Sequence, residues 1–292
     1  MAALAVLVCA CNMDIETVET VPQEGMTIWA GFEDEPDTKT ALSVSGSKGK
    51  VLWKSGDSFE LWSMAGEDGF YDKHVFSTTQ DNVSKAEFST SSSLYSAAAF
   101  YSAFYPTTEN AYIVANNSYF DGYTTYKGFR VVLPGSQTAV AGSFDPAASL
   151  LYAYSSTYEG TNSLQFKNMV SLLKIRLTGS KVGNLQAVKV TCNDDPIAGD
   201  SILYDYDTDP NIIPIGPIAK NAITLAGSFT ADTDYYIAIA PGTYSGISLN
   251  FIFDDSNIIT RSHIGSVTFS RSQAKNLGTF ELNSTEDDDG MV

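Results

Sequence analysis

Val51 and Trp53 lie two residues apart, Ser55-Gly56-Asp57 interrupts them, and Phe59 and Leu61 resume the same spacing. Successive side chains of an extended strand point to opposite faces, so such alternation puts one face in a core and the other in water. Gly and Asp between two such runs supply turn chemistry. The segment therefore predicts two strands joined by a tight turn. The same period recurs along the chain. Met26, Ile28, Ala30 and Phe32 alternate, and the acidic stretch Glu33 to Asp37, with Pro36 inside it, ends that first strand. A second short strand is expected near Leu42 and Val44. Leu173, Ile175 and Leu177 face one way while Lys174, Arg176 and Thr178 face the other, a half-exposed strand. Tyr235 to Asp255 reads as two strands around Pro241-Gly242, with Ile247, Leu249, Phe251 and Phe253 giving the clearest alternation. A last strand is expected near Leu277 to Leu282.

Many short strands, turn signals at short intervals and no long helical periodicity predict an all-β chain of antiparallel β-sandwiches. Only 17% of residues are charged, and Tyr, Phe, Ser, Thr and Gly are abundant, which suits strands better than helices. The part beyond the N-terminal apolar run, about 280 residues, exceeds what most single domains carry. Two domains in tandem are expected, at 26–162 and 163–283, followed by an acidic tail at 284–292.

The first residues suggest a location. Ala2 to Ala10 is continuously apolar, too short for a membrane-spanning helix of about 20 residues but suited to the apolar part of a secretory signal peptide. The small Ala10 before Cys11 reads as a lipoprotein cleavage site. Residues 1–11 are therefore read as a lipoprotein signal segment with Cys11 lipidated. No Lys or Arg precedes the run, so either the true start is expected upstream or the start codon is misassigned. Residues 12–25 read as an acidic, solvated tether. Once Cys9 has left and Cys11 carries lipid, Cys192 remains alone. It shares a strand face with Val188 and Val190 and is expected to be a small buried hydrophobe.

The net charge of −17 excludes nucleic acid as a partner, because phosphate neutralisation needs Lys/Arg clusters that this chain lacks. Attraction to anionic headgroups is excluded likewise, which leaves the lipid on Cys11 as the membrane contact. No chemistry stands out. Asp205, Asp207 and Asp209 have the spacing that opens a calcium loop, but Pro210 stands where the loop needs Gly and Gly216 where it needs the bidentate Glu. His74 and His263 lack metal-ligand spacing. Gly46 to Val51 is Gly-rich without the Lys-Ser/Thr ending of a phosphate loop. No catalytic residue, metal or cofactor is nominated, and the chain is not expected to be an enzyme. Tyr112, Tyr119, Phe120, Tyr123 and Tyr126 stand among Asn, Ser, Gly and Thr. They fit either core packing or a glycan platform, with apolar ring faces for sugars and amide donors for hydroxyls.

Several blocks together carry a resemblance. They are TKTALSVSGSKGKVLWKSGDSFELWS (Thr38 to Ser63), FYSAFYP (Phe100 to Pro106), GSFDPAASLLYAYS (Gly142 to Ser155), LQFKNMVSLLKIRLTG (Leu164 to Gly179) and SRSQAKNLGTF (Ser270 to Phe280). In this order they resemble the fimbrillin-like family, the surface pilins of Bacteroidetes. Asp14 and Glu16 after Cys11 also resemble the export signal of surface lipoproteins in that group. The resemblance implies that each domain is a transthyretin-like sandwich. It implies a lipoprotein precursor at the outer membrane and cell surface, loss of the first strand to a protease, and head-to-tail fimbrial assembly by β-strand addition, with a role in adhesion. Carried onto this chain, Ile28, Trp29, Ala30 and Phe32 would occupy the groove that removal of the first strand opens, and Lys39 would be the maturation site. The acidic tail is a poor donor strand for an apolar groove, so a tip, anchor or accessory subunit is expected, with other fimbrial subunits as partners. The alternative is a surface glycan-binding outer-membrane lipoprotein.

Overall fold

The computed structural model describes residues 25–33, 43–44, 49–50, 52–66, 69–107, 119–120, 125–126, 129–193, 195–204 and 209–283. The first part supplies β1 (Met26–Phe32), β2 (Ser43–Val44), β3 (Gly49–Lys50), β4 (Ser58–Gly66), β5 (Gly69–Ser77), β6 (Ala86–Thr90) and β7 (Phe100–Tyr105). Then come β8 (Tyr119–Phe120), β9 (Thr125–Tyr126), β10 (Phe129–Leu133), β11 (Ser136–Thr138), β12 (Leu151–Ser155), β13 (Ser163–Asn168) and β14 (Ser171–Thr178). The remainder forms β15 (Leu185–Thr191), β16 (Ala198–Tyr204), β17 (Asn211–Lys220), β18 (Ala222–Ala226) and β19 (Thr233–Ile239). It ends with β20 (Gly242–Tyr244), β21 (Ile247–Phe253), β22 (Ile258–His263), β23 (Val267–Phe269) and β24 (Ala274–Glu281). Among the described residues the only helical pieces are short 3-10 turns. The chain is all-β.

The strands order into a closed sheet, β1-β13-β12-β7-β4-β5-β6, and several open ones. The open sheets include a 5-stranded β11-β18-β15-β21-β22 and 3-stranded β19-β14-β24 and β10-β16-β17. Antiparallel pairing dominates, but it is not universal as the alternation pattern had suggested. β1 runs parallel to β13, β14 to β24 and β11 to β18. A parallel pair needs a long crossover, and each of these joins strands far apart in the chain. The sheets also interleave across residue 162. β13, which starts at Ser163, lies in the closed sheet, whereas β10 and β11 pair with later strands.

The Ser55-Gly56-Asp57 turn forms as the sequence suggests. Asp57 N–H donates to the Lys54 carbonyl at 3.0 Å, and Gly56 takes φ +93, which favours glycine. The flanking runs do not form a hairpin, however. Trp53 bridges to Val83, and β4 pairs with β5 and β7. The local pattern specified the turn, and the aromatic interior then took Trp53. Tyr235 to Asp255 likewise yields strands of different sheets, β19 and β21, with β20 between them pairing with β23.

The closed sheet encloses Ile28, Ala30, Trp53, Phe59, Phe76, Phe88, Tyr101, Tyr105 and Phe166. Its other face carries Trp62, Met64, Phe100, Phe104 and Tyr152 into a second, larger apolar cluster with side chains of β14, β15, β19 and β21. One core therefore spans the two halves. β7 lies between these clusters and is buried along its whole length, so it shows no apolar–polar alternation.

On the outer face of β14, Lys174 and Arg176 reach Asp234 of β19 at 2.8 and 3.2 Å. Burial alone would raise the Asp234 pKa, but hydrogen bonds from Lys174 and Arg176 outweigh it and hold the carboxyl below its ordinary value of 3.8. A depressed carboxylate stabilises the fold above its unfolded pKa and stops doing so as pH falls through the folded one. Asp234→Asn is thus expected to cost about 1 kcal/mol or less at pH 6, because the groups are partly exposed. Denaturant unfolding should show that deficit shrinking toward zero below the ordinary carboxyl value. An equal deficit at both pH values would mean the ion pairs are not its source.

Candidate functional site: the first strand and its seat

β1 pairs on both sides. Met26 to Ala30 run antiparallel to Thr90 to Ala86 of β6, and Trp29 to Phe32 run parallel to Ser163 to Phe166 of β13. Its period of two is the one read from sequence. Ile28 and Ala30 are fully buried in the closed sheet. Phe32 stacks on Trp53 with ring centroids 4.4 Å apart. Trp29 takes the opposite face: it is 43% exposed and lies under the Lys85 ammonium, so it does not fill the interior as expected for a groove residue.

Trp53 is the centre of the seat. It packs edge-on against Phe88, Tyr105 and Phe166, and its indole Nε1 donates to the buried Ala30 carbonyl at 2.9 Å. That bond consumes a β1 acceptor that would otherwise be costly inside an apolar interior.

The far end of β1 is clamped ionically. Glu33 N–H donates to the Phe166 carbonyl at 2.9 Å. The Glu33 carboxylate accepts Arg271 Nη1 at 2.5 Å and Ser272 Oγ at 3.0 Å. Arg271 also donates to the Asn168 carbonyl at 2.9 Å and, through Nε, to Asp209 at 2.5 Å. Burial opposes the guanidinium charge, yet the bonds to Glu33 and Asp209 outweigh it and keep its pKa above the ordinary range. Arg271 and Ser272 lie in the loop before β24, so the late part of the chain holds the end of its first described strand. Sequence reasoning missed Glu33, Arg271 and Trp53 as a set. The only available signal was one Arg in a chain poor in cations.

The other expected positions fall elsewhere. Cys11, Lys39, Tyr112 and Tyr123 lie outside the described residues. The strands β8 and β9 carry Tyr119, Phe120 and Tyr126. Of the acidic triplet only Asp209 is described, and it is paired with Arg271. His74 lies 3.3 Å from Asp72, and among the described residues no group of His, Cys, Asp and Glu could hold a metal ion. Cys192 is fully buried beside Val188 and Val190, as the alternation implies. Burial first, and then Asp195, push its thiol pKa up to about 12. Alkylation at pH 8 should leave Cys192 unmodified in the native protein and label it after denaturation, as read by peptide mass mapping. Fast native labelling would contradict that environment.

No protein-family model and no curated protein match the sequence. Solved structures do. One is a candidate cell-adhesion protein from Bacteroides uniformis, at 12% identity and TM-score 0.49, covering 88% of this chain and 93% of that one. A candidate polysaccharide-binding protein from Bacteroides thetaiotaomicron aligns at 9% identity and TM-score 0.45, over 89% and 92%. The fimbrial anchor protein Mfa2 from Porphyromonas gingivalis aligns at 10% identity and TM-score 0.36, over 82% and 81%. The structural neighbours of this chain include candidate adhesion proteins and a fimbrial anchor protein.

Proposed function

We propose that this chain is a tip, anchor or accessory subunit of a cell-surface fimbria, contributing to adhesion, that accepts a β-strand from a neighbouring subunit after β1 is cut away. One observation carries the reading. β1 is held between two strands remote in sequence, fills the interior with Ile28, Ala30 and Phe32, and is clamped at its end by side chains from a distant loop. Its removal would leave β6 and β13 with unpaired edges over roughly 20 Å and an apolar groove between them. An incoming strand would restore both ladders by β-augmentation. Head-to-tail addition of this kind leads to an open filament. In this reading Cys11 bears the lipid, 12–25 is the tether and cleavage follows Lys39. Two transthyretin-like units share the core described above, the first with its edges closed by β1.

The test is made on native surface material. Sheared cells are run on SDS gels with and without boiling, and the protein's N-terminus is sequenced. Heat-sensitive multimers containing chains that begin near Thr40 are expected. A monomer that keeps β1 and stays with the outer membrane would overturn strand exchange at this seat.

A further inference from the structure

Two tyrosines stand exposed side by side on the closed sheet. Tyr71 is 52% and Tyr95 45% exposed, and their ring centroids lie 4.3 Å apart with the planes tilted by 38°. Val75, also exposed, follows Tyr71 along the outward row of β5. We infer that this ledge binds a neutral glycan, with the apolar face of a pyranose ring laid on Tyr71 and Tyr95.

The backbone holds both rings in place. Tyr71 is the extra residue of a bulge: Ser63 pairs with Asp72 and Met64 with Phe70, so Tyr71 is skipped in the register of β4 and β5. Bulges of this kind aim side chains and are common beside functional sites. Tyr95 is pinned from three directions. Its N–H donates to Asp72 Oδ2 at 2.9 Å, its carbonyl accepts the Tyr101 hydroxyl at 2.7 Å, and Leu94 before it is buried inside the closed sheet. Rings fixed in this way lose little freedom when a ligand settles on them.

Charge and backbone narrow the ligand. A cation would meet the Lys73 ammonium, two residues from Tyr71 on the same row, and an anion would meet the net charge of −17. A neutral ligand meets neither. The bonds that fix Tyr95 also occupy its N–H and C=O, so a peptide finds no backbone ladder at that residue. What suits the ledge is an uncharged ring with C–H bonds on one face and hydroxyls at its rim. Ser91 and Ser96, exposed on the segment that carries Tyr95, supply hydroxyls that both donate and accept. This ledge is separate in sequence from the Tyr112 to Tyr126 segment.

The inference is independent of strand exchange, because it concerns the full chain with β1 in place. Its test mixes that chain with cellohexaose, mannohexaose, hexagalacturonate or a pentalysine peptide and reads saturation-transfer NMR. At least one neutral hexaose should receive saturation at its ring C–H protons, and the two charged probes should not. Tyr71→Ala and Tyr95→Ala should each weaken that binding by about tenfold, while Tyr71→Phe and Tyr95→Phe, which keep the ring, should retain most of it. Both rings are exposed, and thermal unfolding checks that the variants are folded. No transfer to either neutral hexaose, binding unchanged in both alanine variants, or stronger binding of hexagalacturonate or pentalysine would overturn the inference.

Discussion

Trp53→Ala will cost about 4 kcal/mol of unfolding free energy, the upper part of the range for large-to-small changes in a core. The side chain is fully buried, so its loss leaves a cavity walled by Phe32, Phe88, Tyr105 and Phe166. These rings sit on separate, paired strands and cannot collapse inward without bending the ladders. The substitution also orphans the Ala30 carbonyl. Trp53→Phe separates the two effects: it keeps most of the ring and loses the donor, and should cost about 1–3 kcal/mol. Urea unfolding of both variants measures this through the midpoint at unchanged slope. A loss under about 1 kcal/mol for the alanine variant would show that the closed sheet does not depend on this ring. Because the lost bond and the Phe32 stack both belong to β1, the same variant should expose β1 amides to hydrogen exchange before those of β14 or β21.

That asymmetry shows what could be read in advance. β21 displays the full alternation of its sequence, with Ile247, Leu249, Phe251 and Phe253 buried and the residues between them partly exposed. β14 does the same once it emerges from the core. One-sided strands announce themselves because water marks their other face. β7 does not, since both of its faces are covered and Phe100 to Tyr105 carries no period to detect. Pairing was less legible still. The turn at Gly56 was specified locally, but the neighbours of β1 lie near residues 88 and 165, and no local pattern encodes a parallel partner that distant. Ile28, Ala30 and Phe32 were legible as one face of a strand. Trp29 was grouped with them by hydrophobicity alone, and the period of two sends it outward. The Glu33–Arg271 clamp has the least signal of all, because a single ion pair across more than two hundred residues leaves no mark on composition or spacing.

The clamp has the second large predicted effect. Arg271→Met retains the aliphatic stem and removes the charge, leaving the Glu33 carboxylate without its cation in a site where both side chains are less than one-fifth exposed. Breaking a buried pair from one side costs about 3 kcal/mol, mostly through the stranded partner. Asp209 adds little, since its side chain is 57% exposed and water can take over from Arg271. Glu33→Gln should cost less, because the amide still accepts from Ser272 and Arg271 keeps Asp209 and the Asn168 carbonyl. The double variant should then be more stable than the sum of the single losses implies, by more than the roughly 0.5 kcal/mol expected of independent sites. Strict additivity would mean that the two groups do not grip each other in solution. The local consequence matters more than the global one. With Glu33 released, β1 keeps its ladders and its buried Ile28 and Ala30 but loses the anchor at the end that leads toward Lys39. Limited proteolysis by a lysine-specific protease should therefore remove the segment containing β1 from Arg271→Met faster than from the wild type, with the remaining strands intact. Equal rates would place the resistance to strand release in the apolar seat around Trp53 and not in the clamp.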